Sequence, residues 1–211
     1  MIAISDIHSS ENFLKYFKKE FKGIKKEVFL FGGDFLTFDE PKSFLLDFLS
    51  FLRELKKDNK IFAIPGNSDG IFVERSLNEL GINIDKKRVE IEGSEFNVVG
   101  IGGSLKTPFF TPNERSEEEF NSIFDLVDEK TIILSHSPPF GIFDTVRNEH
   151  IGSKSLRNII EEKSPSMFLC GHVHEVYGVK EIKNTKIIKL PPATKGFITR
   201  INKEVSFERM F

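Results

Sequence analysis

Short apolar runs alternate with amphipathic stretches along the first half of the chain. Three runs read as buried strands: MIAIS (1–5), VFLFGGD (28–34) and KIFAIPGN (60–67). Helical spacing of apolar residues predicts one helix after each of these strands. The first helix has Phe13, Leu14, Phe17 and Phe21 on one face. The second spans 41–57 and begins at Pro41, and the third ends at Leu80 before Gly81. This alternation predicts right-handed βαβ units with parallel strands.

The second half of the chain mixes helices with hairpins. We predict, in chain order, a hairpin over 87–103 turning near Gly93, a helix over 116–128 with Ser116 and Glu119 in a capping box, a strand over 131–139, a helix over 155–163, a buried strand over 166–174 and a terminal hairpin over 196–211. Two mixed β-sheets packed face to face and flanked by helices accommodate both patterns. The predicted fold class is therefore α/β.

Composition fits one soluble globular domain over residues 1–211, with 39% hydrophobic and 29% charged residues. The formal net charge of −2 supplies no positive field for a nucleic-acid backbone, which argues against nucleic acid as a partner. The single cysteine cannot form an internal disulfide, and the apolar N-terminal run is too short for a signal or membrane segment. We expect a cytoplasmic protein without a membrane partner, and homo-oligomerisation stays open.

Polar residues recur just past the carboxyl ends of the predicted buried strands. They are Asp6, His8, Asp34, Asn67, His136, His172 and His174. Ligand sites of α/β sheets form at that edge, so residues from five separate segments can converge there. In an extended segment, residues i and i+2 share a face, so Asp6 with His8 and His172 with His174 are expected to present paired donors to one cleft.

These residues form a coherent set of metal ligands. They offer two carboxylates, one amide oxygen and four imidazoles, a mixed nitrogen and oxygen set that suits manganese, iron or zinc. Seven protein ligands are too many for one such ion. They are about right for two ions if one carboxylate bridges them.

Five ordered motifs resemble the calcineurin-like metallophosphoesterase superfamily, and further stretches resemble its small prokaryotic subgroup. The motifs are DIH (6–8), GGD (32–34), GNSD (66–69), SHSPP (135–139) and GHVH (171–174). The resemblance implies a four-layer αββα fold and two metal sites bridged by Asp34. It assigns one ion to Asp6, His8 and His174, and the other to Asn67, His136 and His172.

The resemblance also implies an activity, which is hydrolysis of a small phosphoester. Two divalent ions would activate a bridging hydroxide for in-line attack on phosphorus. Manganese is the first expectation for the metal, with iron, nickel, zinc and magnesium as alternatives. Asn67 and His136 are candidate catalytic residues, and the amide of Asn67 could also bind a phosphate oxygen.

The chain departs from the family pattern beside Asn67. Many members have a histidine there that is thought to protonate the leaving group, whereas this chain has Ser68, a poor general acid. Asp69 stays a candidate catalytic residue but lacks its imidazole partner, which predicts a preference for diesters or good leaving groups. His150 is a candidate substitute acid and substrate contact, and Arg147 a candidate phosphate clamp. For both, a solvated surface residue is the alternative.

Other interpretations of the same residues remain open. Aspartates that follow strands can cap helices instead of binding metal. The chain also departs from the family pattern at KLPPATKG (189–196), which replaces an Asn-Pro-Gly-like turn common in the family. Cys170 has no CxxC partner, so we expect a buried, inert thiol. The alternatives to the small-molecule phosphoesterase are a nuclease of the same superfamily and a non-catalytic metal-binding scaffold.

Overall fold

The structure, a computed structural model, describes residues 1–37 and 42–211. Pro41, the predicted first residue of the second helix, lies outside the described residues. In chain order the elements are β1 (Ile2–Ile4), α1 (Glu11–Phe21), β2 (Val28–Phe31), α2 (Lys42–Leu55), β3 (Lys60–Ala63), α3 (Ile71–Glu79), β4 (Arg88–Glu90), β5 (Asn97–Ile101), α4 (Glu117–Asn121), β6 (Thr131–Ser135), β7 (Thr145–Val146), β8 (Glu149–His150), α5 (Lys154–Lys163), β9 (Met167–Cys170), β10 (Gly178–Ile182), β11 (Thr185–Lys189), β12 (Phe197–Ile201) and β13 (Val205–Arg209).

The strands form two mixed sheets and one short ribbon. The first sheet has the order β13-β12-β1-β2-β3, with β1, β2 and β3 parallel and the terminal hairpin antiparallel at its edge. The second has the order β10-β11-β9-β6-β5-β4, with four central parallel strands and one antiparallel strand at each edge. Strands β7 and β8 pair only with each other within the described residues.

Alternating strand residues separate three apolar layers. Ala3 and Leu30 of the first sheet pack with Leu134 and Leu169 of the second, so the sheets lie face to face. The opposite face of the first sheet packs against the apolar faces of α1 to α3, where Phe17 contacts a cluster of aromatic rings. The outer face of the second sheet packs against α4 and α5. This is the predicted αββα arrangement.

Most predicted elements are confirmed, but the residues at which they begin and end differ from the prediction. The capping box is present, with Ser116 Oγ accepting from Glu119 N at 3.3 Å. The predicted helix over 116–128 is wrong in length, because α4 ends at Asn121 and a separate 3₁₀ turn spans Phe124–Leu126. The two hairpins are confirmed as β4–β5 and β12–β13.

The β7–β8 ribbon was not predicted. Its turn consists of Arg147 and Asn148, both with positive φ (49° and 68°), a conformation that usually selects glycine or asparagine pairs. An arginine in the first turn position gives no hairpin signal in the sequence. Among the described residues, no helix is long and apolar enough to span a membrane.

Candidate metal centre

The carboxyl ends of the parallel strands of both sheets meet at one edge of the molecule. The first sheet supplies donors after β1, β2 and β3, and the second supplies donors after β6 and β9; these are Asp6, His8, Asp34, Asn67, His136, His172 and His174. Four of these strands, β2, β3, β6 and β9, end before the donors that the predicted runs included, and β1 ends two residues before Asp6. The donors therefore lie in the loops, where the backbone is free to turn.

Left-handed turns, not extended segments, orient four of these donors. Asp6, His8, Asp34 and His172 have φ of 59°, 43°, 54° and 74°. The expectation that Asp6 with His8 and His172 with His174 share a face of an extended strand is therefore wrong. Ile7 and Val173, the residues between the paired donors, are buried. Such turns cost roughly 1–2 kcal/mol per residue, so the surrounding contacts must hold them.

Hydrogen bonds between the loops hold the turned backbone in place. Asp6 N donates to Gly33 O at 3.0 Å and His8 N donates to Asp34 O at 2.8 Å. His172 N donates to the Asp6 carboxylate at 3.1 Å, which joins the loop of the second sheet to that of the first. The donor loops thus form one interlocked unit.

The first three-donor group consists of Asp6, His8 and His174. Asp6 Oδ1 lies 3.2 Å from His174 Nε2, and His174 Nε2 lies 3.4 Å from His8 Nε2. One ligand atom from each of the three residues falls within 4.8 Å of the other two. The grouping agrees with the first metal site that the family resemblance implied.

The second group consists of Asp6, Asp34 and His136, with Asn67 beside them. His136 Nε2 lies 2.9 Å from Asn67 Oδ1 and 3.5 Å from Asp34 Oδ2. Asp34 Oδ2 also lies 3.4 Å from His8 Nε2, so this oxygen sits between the histidines of the two groups. Asp34 Oδ2 is therefore within 3.5 Å of a histidine from each group, whereas Asp6 is the carboxylate that both groups contain.

His172 lies beside the second group. Its ring centroid is 5.2 Å from that of His136, at an interplanar angle of 63°. Among the residues that the structure describes, neither three-donor cluster includes His172. Its place in the second site therefore rests on this proximity and on the family pattern.

The tautomer of His136 is set by a backbone carbonyl. Its Nδ1–H donates to Gly32 O at 2.7 Å, so Nε2 faces Asn67 and Asp34. A histidine that ligates a metal commonly donates its other ring nitrogen in this way. The arrangement fixes both the orientation of the ring and the nitrogen that can bind a cation.

Two glycines allow the carboxylates to approach the backbone. A Cβ at Gly171 would lie 2.6 Å from Asp6 Oδ2, and a Cβ at Gly66 would lie 2.7 Å from Asp34 Cγ. Real Cβ atoms essentially never come this close to another heavy atom. The glycines of GNSD and GHVH are therefore required by the packing around the two carboxylates.

The buried carboxylates and imidazoles of the site shift one another's pKa values. Burial opposes ionisation of Asp6, but a hydrogen bond from His174 and the charge on His136 hold its pKa well below the usual range. Burial likewise opposes ionisation of Asp34, and His136 lowers its pKa. Burial disfavours the cation of His136, yet the Asp34 carboxylate raises its pKa to about 9. Burial and the nearby charge of His136 lower the pKa of His172 to about 3.

Asp69 lies beneath the loops that carry Asp34 and Asn67. Its carboxylate is buried and accepts backbone N–H groups from Phe35 (3.0 Å), Leu36 (3.1 Å) and Gly66 (2.8 Å). Burial and the charge of Asp34 raise its pKa to about 7. Its contacts tie the GGD and GNSD loops together.

His150 and Arg147 lie on the β7–β8 ribbon, and both are exposed. His150 Nδ1 pairs with Asp144 Oδ1 at 2.7 Å, and its ring packs 5.2 Å from that of Phe140. Asp144 is fully buried and also accepts from Gly141 N and Gly152 N. None of the described contacts of His150 or Arg147 reaches the metal donors.

Sequence reasoning missed Asp144. An aspartate six residues before a histidine carries no recognisable spacing signal, because their proximity depends on the ribbon between them. Only the tertiary structure shows that a buried carboxylate orients the exposed imidazole. The pair resembles the aspartate–histidine arrangement that fixes a catalytic imidazole.

Two further sequence features lie next to the centre. Cys170 is fully buried and its burial raises the thiol pKa to about 12, as expected for an inert thiol. The KLPPATKG stretch packs on the donor loops, with Ala193 N donating to Ser5 O (2.9 Å) and Lys195 Nζ donating to His174 O (3.0 Å). This stretch therefore forms one wall of the site.

The donor set fits a pair of divalent cations. It contains carboxylate, amide and imidazole ligands without sulfur, and two three-donor groups share Asp6. Several buried carboxylates in one cluster need positive charge nearby to remain ionised. The residues therefore meet the chemical requirements of a two-ion centre.

Comparison with known proteins agrees with this geometry. The family model for calcineurin-like phosphoesterases matches residues 1–176. An uncharacterized protein of Methanocaldococcus jannaschii is 35% identical over 201 residues, which cover 91% of this chain and 88% of its own. A solved protein of Thermus thermophilus has a TM-score of 0.75 at 15% identity, covering 100% and 98% of the two chains. A dimetal phosphatase from Danio rerio has a TM-score of 0.64 at 11% identity, covering 100% and 96%.

The protonation of His136 predicts a proton release on metal binding. At pH 7 the metal-free ring is protonated, because its pKa is about 9, and it must lose a proton to bind a cation through Nε2. Adding zinc to the metal-free protein in weak buffer with a pH indicator should release about one proton from His136. The release should disappear once the pH is well above this pKa.

The control for this measurement is His150→Gln, which changes a histidine outside both donor groups. It should release as many protons per chain as the wild type, whereas His136→Gln should release about one proton fewer per chain. Equal release per chain from the His136 variant would contradict the assignment.

Proposed function

The chain belongs to the calcineurin-like phosphoesterase family, and from that premise we propose that it is a dinuclear metal-dependent hydrolase of small phosphodiesters. The observation that carries the proposal is the convergence of the two three-donor groups on the shared edge of both sheets. The likeness of the fold to a dimetal phosphatase supports a two-ion centre. The mixed nitrogen and oxygen donors support manganese as the first choice of metal, followed by iron, nickel, zinc or magnesium.

The two ions have separate sets of ligands in this proposal. Asp6, His8 and His174 would hold one ion, Asn67, His136 and His172 would hold the other, and Asp34 would contact both. Bound divalent ions lower the pKa of water and stabilise the charge on phosphoryl oxygens during in-line displacement. The chain contributes the fixed positions of these donors, and Asn67 has an amide N–H₂ left to orient a phosphate oxygen.

Ser68 supports the preference for diesters. Its backbone N–H donates to Asp34 Oδ1 at 2.8 Å and its hydroxyl donates to Asp34 Oδ2 at 3.2 Å. The side chain is thus engaged in positioning Asp34. A hydroxyl is in any case a poor proton donor at neutral pH, so a poor leaving group depends on a proton donor elsewhere, and esters with good leaving groups are favoured. Asp69 acts in this scheme as a positioning residue that holds the two loops together, a change from the catalytic role expected from sequence.

His150 is the proposed proton donor to the leaving group. Asp144 holds Nδ1, which leaves Nε2 available to an ester oxygen, and the ribbon follows the loop that carries His136. Arg147, at the turn of the same ribbon, is the proposed phosphate contact. The single cysteine supports a cytoplasmic location, which is part of the proposal.

The central test compares two chromogenic esters. With Mn²⁺, Ni²⁺, Zn²⁺ or Mg²⁺ added, bis-p-nitrophenyl phosphate should be hydrolysed faster than p-nitrophenyl phosphate. Asp34→Asn should lower kcat/KM by about 100-fold or more, because even changes to residues that only orient metal ligands cost about 10–100-fold. Asp47→Asn, which alters an exposed carboxylate paired with Lys18, is the matched control and should leave the rate unchanged.

Undiminished activity of Asp34→Asn would contradict the bridging assignment. Metal binding without hydrolysis of any ester would favour the scaffold alternative. DNA binding that weakens steeply with salt would favour the nuclease.

The role of His150 predicts a dependence on the leaving group. His150→Gln should slow diesters with poor alkyl leaving groups by about 100-fold, since general acid catalysis contributes roughly 10²–10⁴-fold, and should slow p-nitrophenyl esters far less. Asp144→Asn should show the same pattern more weakly, because the imidazole loses its orienting partner. A uniform loss for all leaving groups would assign His150 to binding alone.

A further inference from the structure

Two exposed apolar residues, Ile71 and Pro112, lie next to Gly70 at the end of the GNSD loop, and two more, Phe109 and Phe110, shortly precede Pro112 in the chain. Phe109 and Phe110 have the highest exposures of the large hydrophobic residues that the structure describes, 78% and 86%, and Ile71 is 61% exposed. With Pro112, which is also exposed, these residues are called the apolar shelf. An exposed group of large apolar side chains commonly marks a binding site.

The shelf is joined directly to the candidate metal centre. Asn113, next to Pro112, donates its backbone N–H to Asn67 O at 3.1 Å and its side-chain amide to Gly66 O at 2.9 Å. A Cβ placed on Gly70 would lie 3.8 Å from Pro112 Cβ. Phe110 is three residues from Asn113, so its backbone lies within about 10 Å of that contact.

Internal hydrogen bonds hold the loop that displays the two phenylalanines. Glu114 Oε1 accepts from Thr107 N (3.0 Å), Thr107 Oγ1 (2.7 Å), Thr111 N (2.9 Å) and Thr111 Oγ1 (3.1 Å). Phe110 has φ of 51°, an unfavourable conformation for a bulky side chain. Polar contacts therefore hold this loop, with two exposed aromatic rings, in an unfavourable backbone conformation, a pattern associated with functional sites.

We propose that the apolar shelf binds an aromatic ester group of the substrate while its phosphate occupies the metal centre. The inference rests on the proposed phosphodiesterase function and names its substrate class: phosphoesters of planar aromatic groups, nucleobases included. Aromatic side chains bind such groups by stacking, with modest selectivity among them.

The surroundings of the shelf favour a small ligand over a membrane or a protein. Membrane-binding apolar surfaces are flanked by several basic residues, whereas Glu114, Glu117, Glu118 and Glu119 follow the two phenylalanines here. Of the nearby cations, Lys106 precedes the rings, and Arg115 is paired with Asp85. Two rings on one loop also present far less area than the roughly 800 Å² per partner of a stable protein interface. A single aromatic group matches the size of the surface.

The test measures binding of two phosphate monoesters to the Mn²⁺-loaded protein by calorimetry. Phenyl phosphate and methyl phosphate carry the same charge and differ in the ring. The wild type should bind phenyl phosphate about 10-fold more tightly, a difference within the range that base–aromatic stacking contributes. The double variant Phe109→Ala/Phe110→Ala should bind both esters equally, with its affinity for methyl phosphate unchanged.

The matched control is Leu46→Ala, which removes an exposed apolar side chain from α2 and should retain the preference for phenyl phosphate. Equal affinities of the wild type for the two esters, or an equal loss for both in the double variant, would overturn the inference. The inference would also be overturned if the double variant lost only its co-sedimentation with anionic vesicles and bound both esters as the wild type does. A phenyl preference in a protein that hydrolyses no ester would refute the proposed function and leave the shelf intact.

Discussion

Negative charge buried at the common edge of two sheets is the constraint on which this structure depends. Asp6, Asp34 and Asp69 are almost fully excluded from solvent within one cluster of loops. An uncompensated buried carboxylate is very costly, so every surrounding contact has to supply positive charge or hydrogen-bond donors. Backbone N–H groups satisfy Asp69, while His136 and His174 approach the other two. Two divalent cations complete the compensation in our account.

The local backbone follows from this constraint. Hydrogen bonds between the loops hold Asp6 and Asp34 in left-handed conformations, and glycines face their carboxylates where a Cβ would clash. The parallel strands supply the convergence, because their carboxyl ends place loops from both sheets at one edge. The same loops hold Asn113 and thereby position the apolar shelf.

Much of the fold and of the centre could be predicted from the sequence, since both depend on local patterns. Apolar periodicity located the strands and helices, and the donors follow buried strands in chain order. The conformation of the donors could not be predicted, because the turns at Asp6 and His172 are stabilised by contacts between segments more than 160 residues apart. The β7–β8 ribbon could not be predicted because the Arg147–Asn148 turn has no sequence signal. Asp144 could not be predicted as a site residue because its pairing with His150 exists only in the folded chain.

The central claim is that the buried carboxylates and imidazoles hold two metal ions in distinct sites. Counting manganese per chain by mass spectrometry, after reconstitution and removal of free metal, tests it most directly. We predict about two ions for the wild type and about one for His174→Ala, which removes a ligand of one site only. One ion or fewer in the wild type, or two in the variant, would contradict the account.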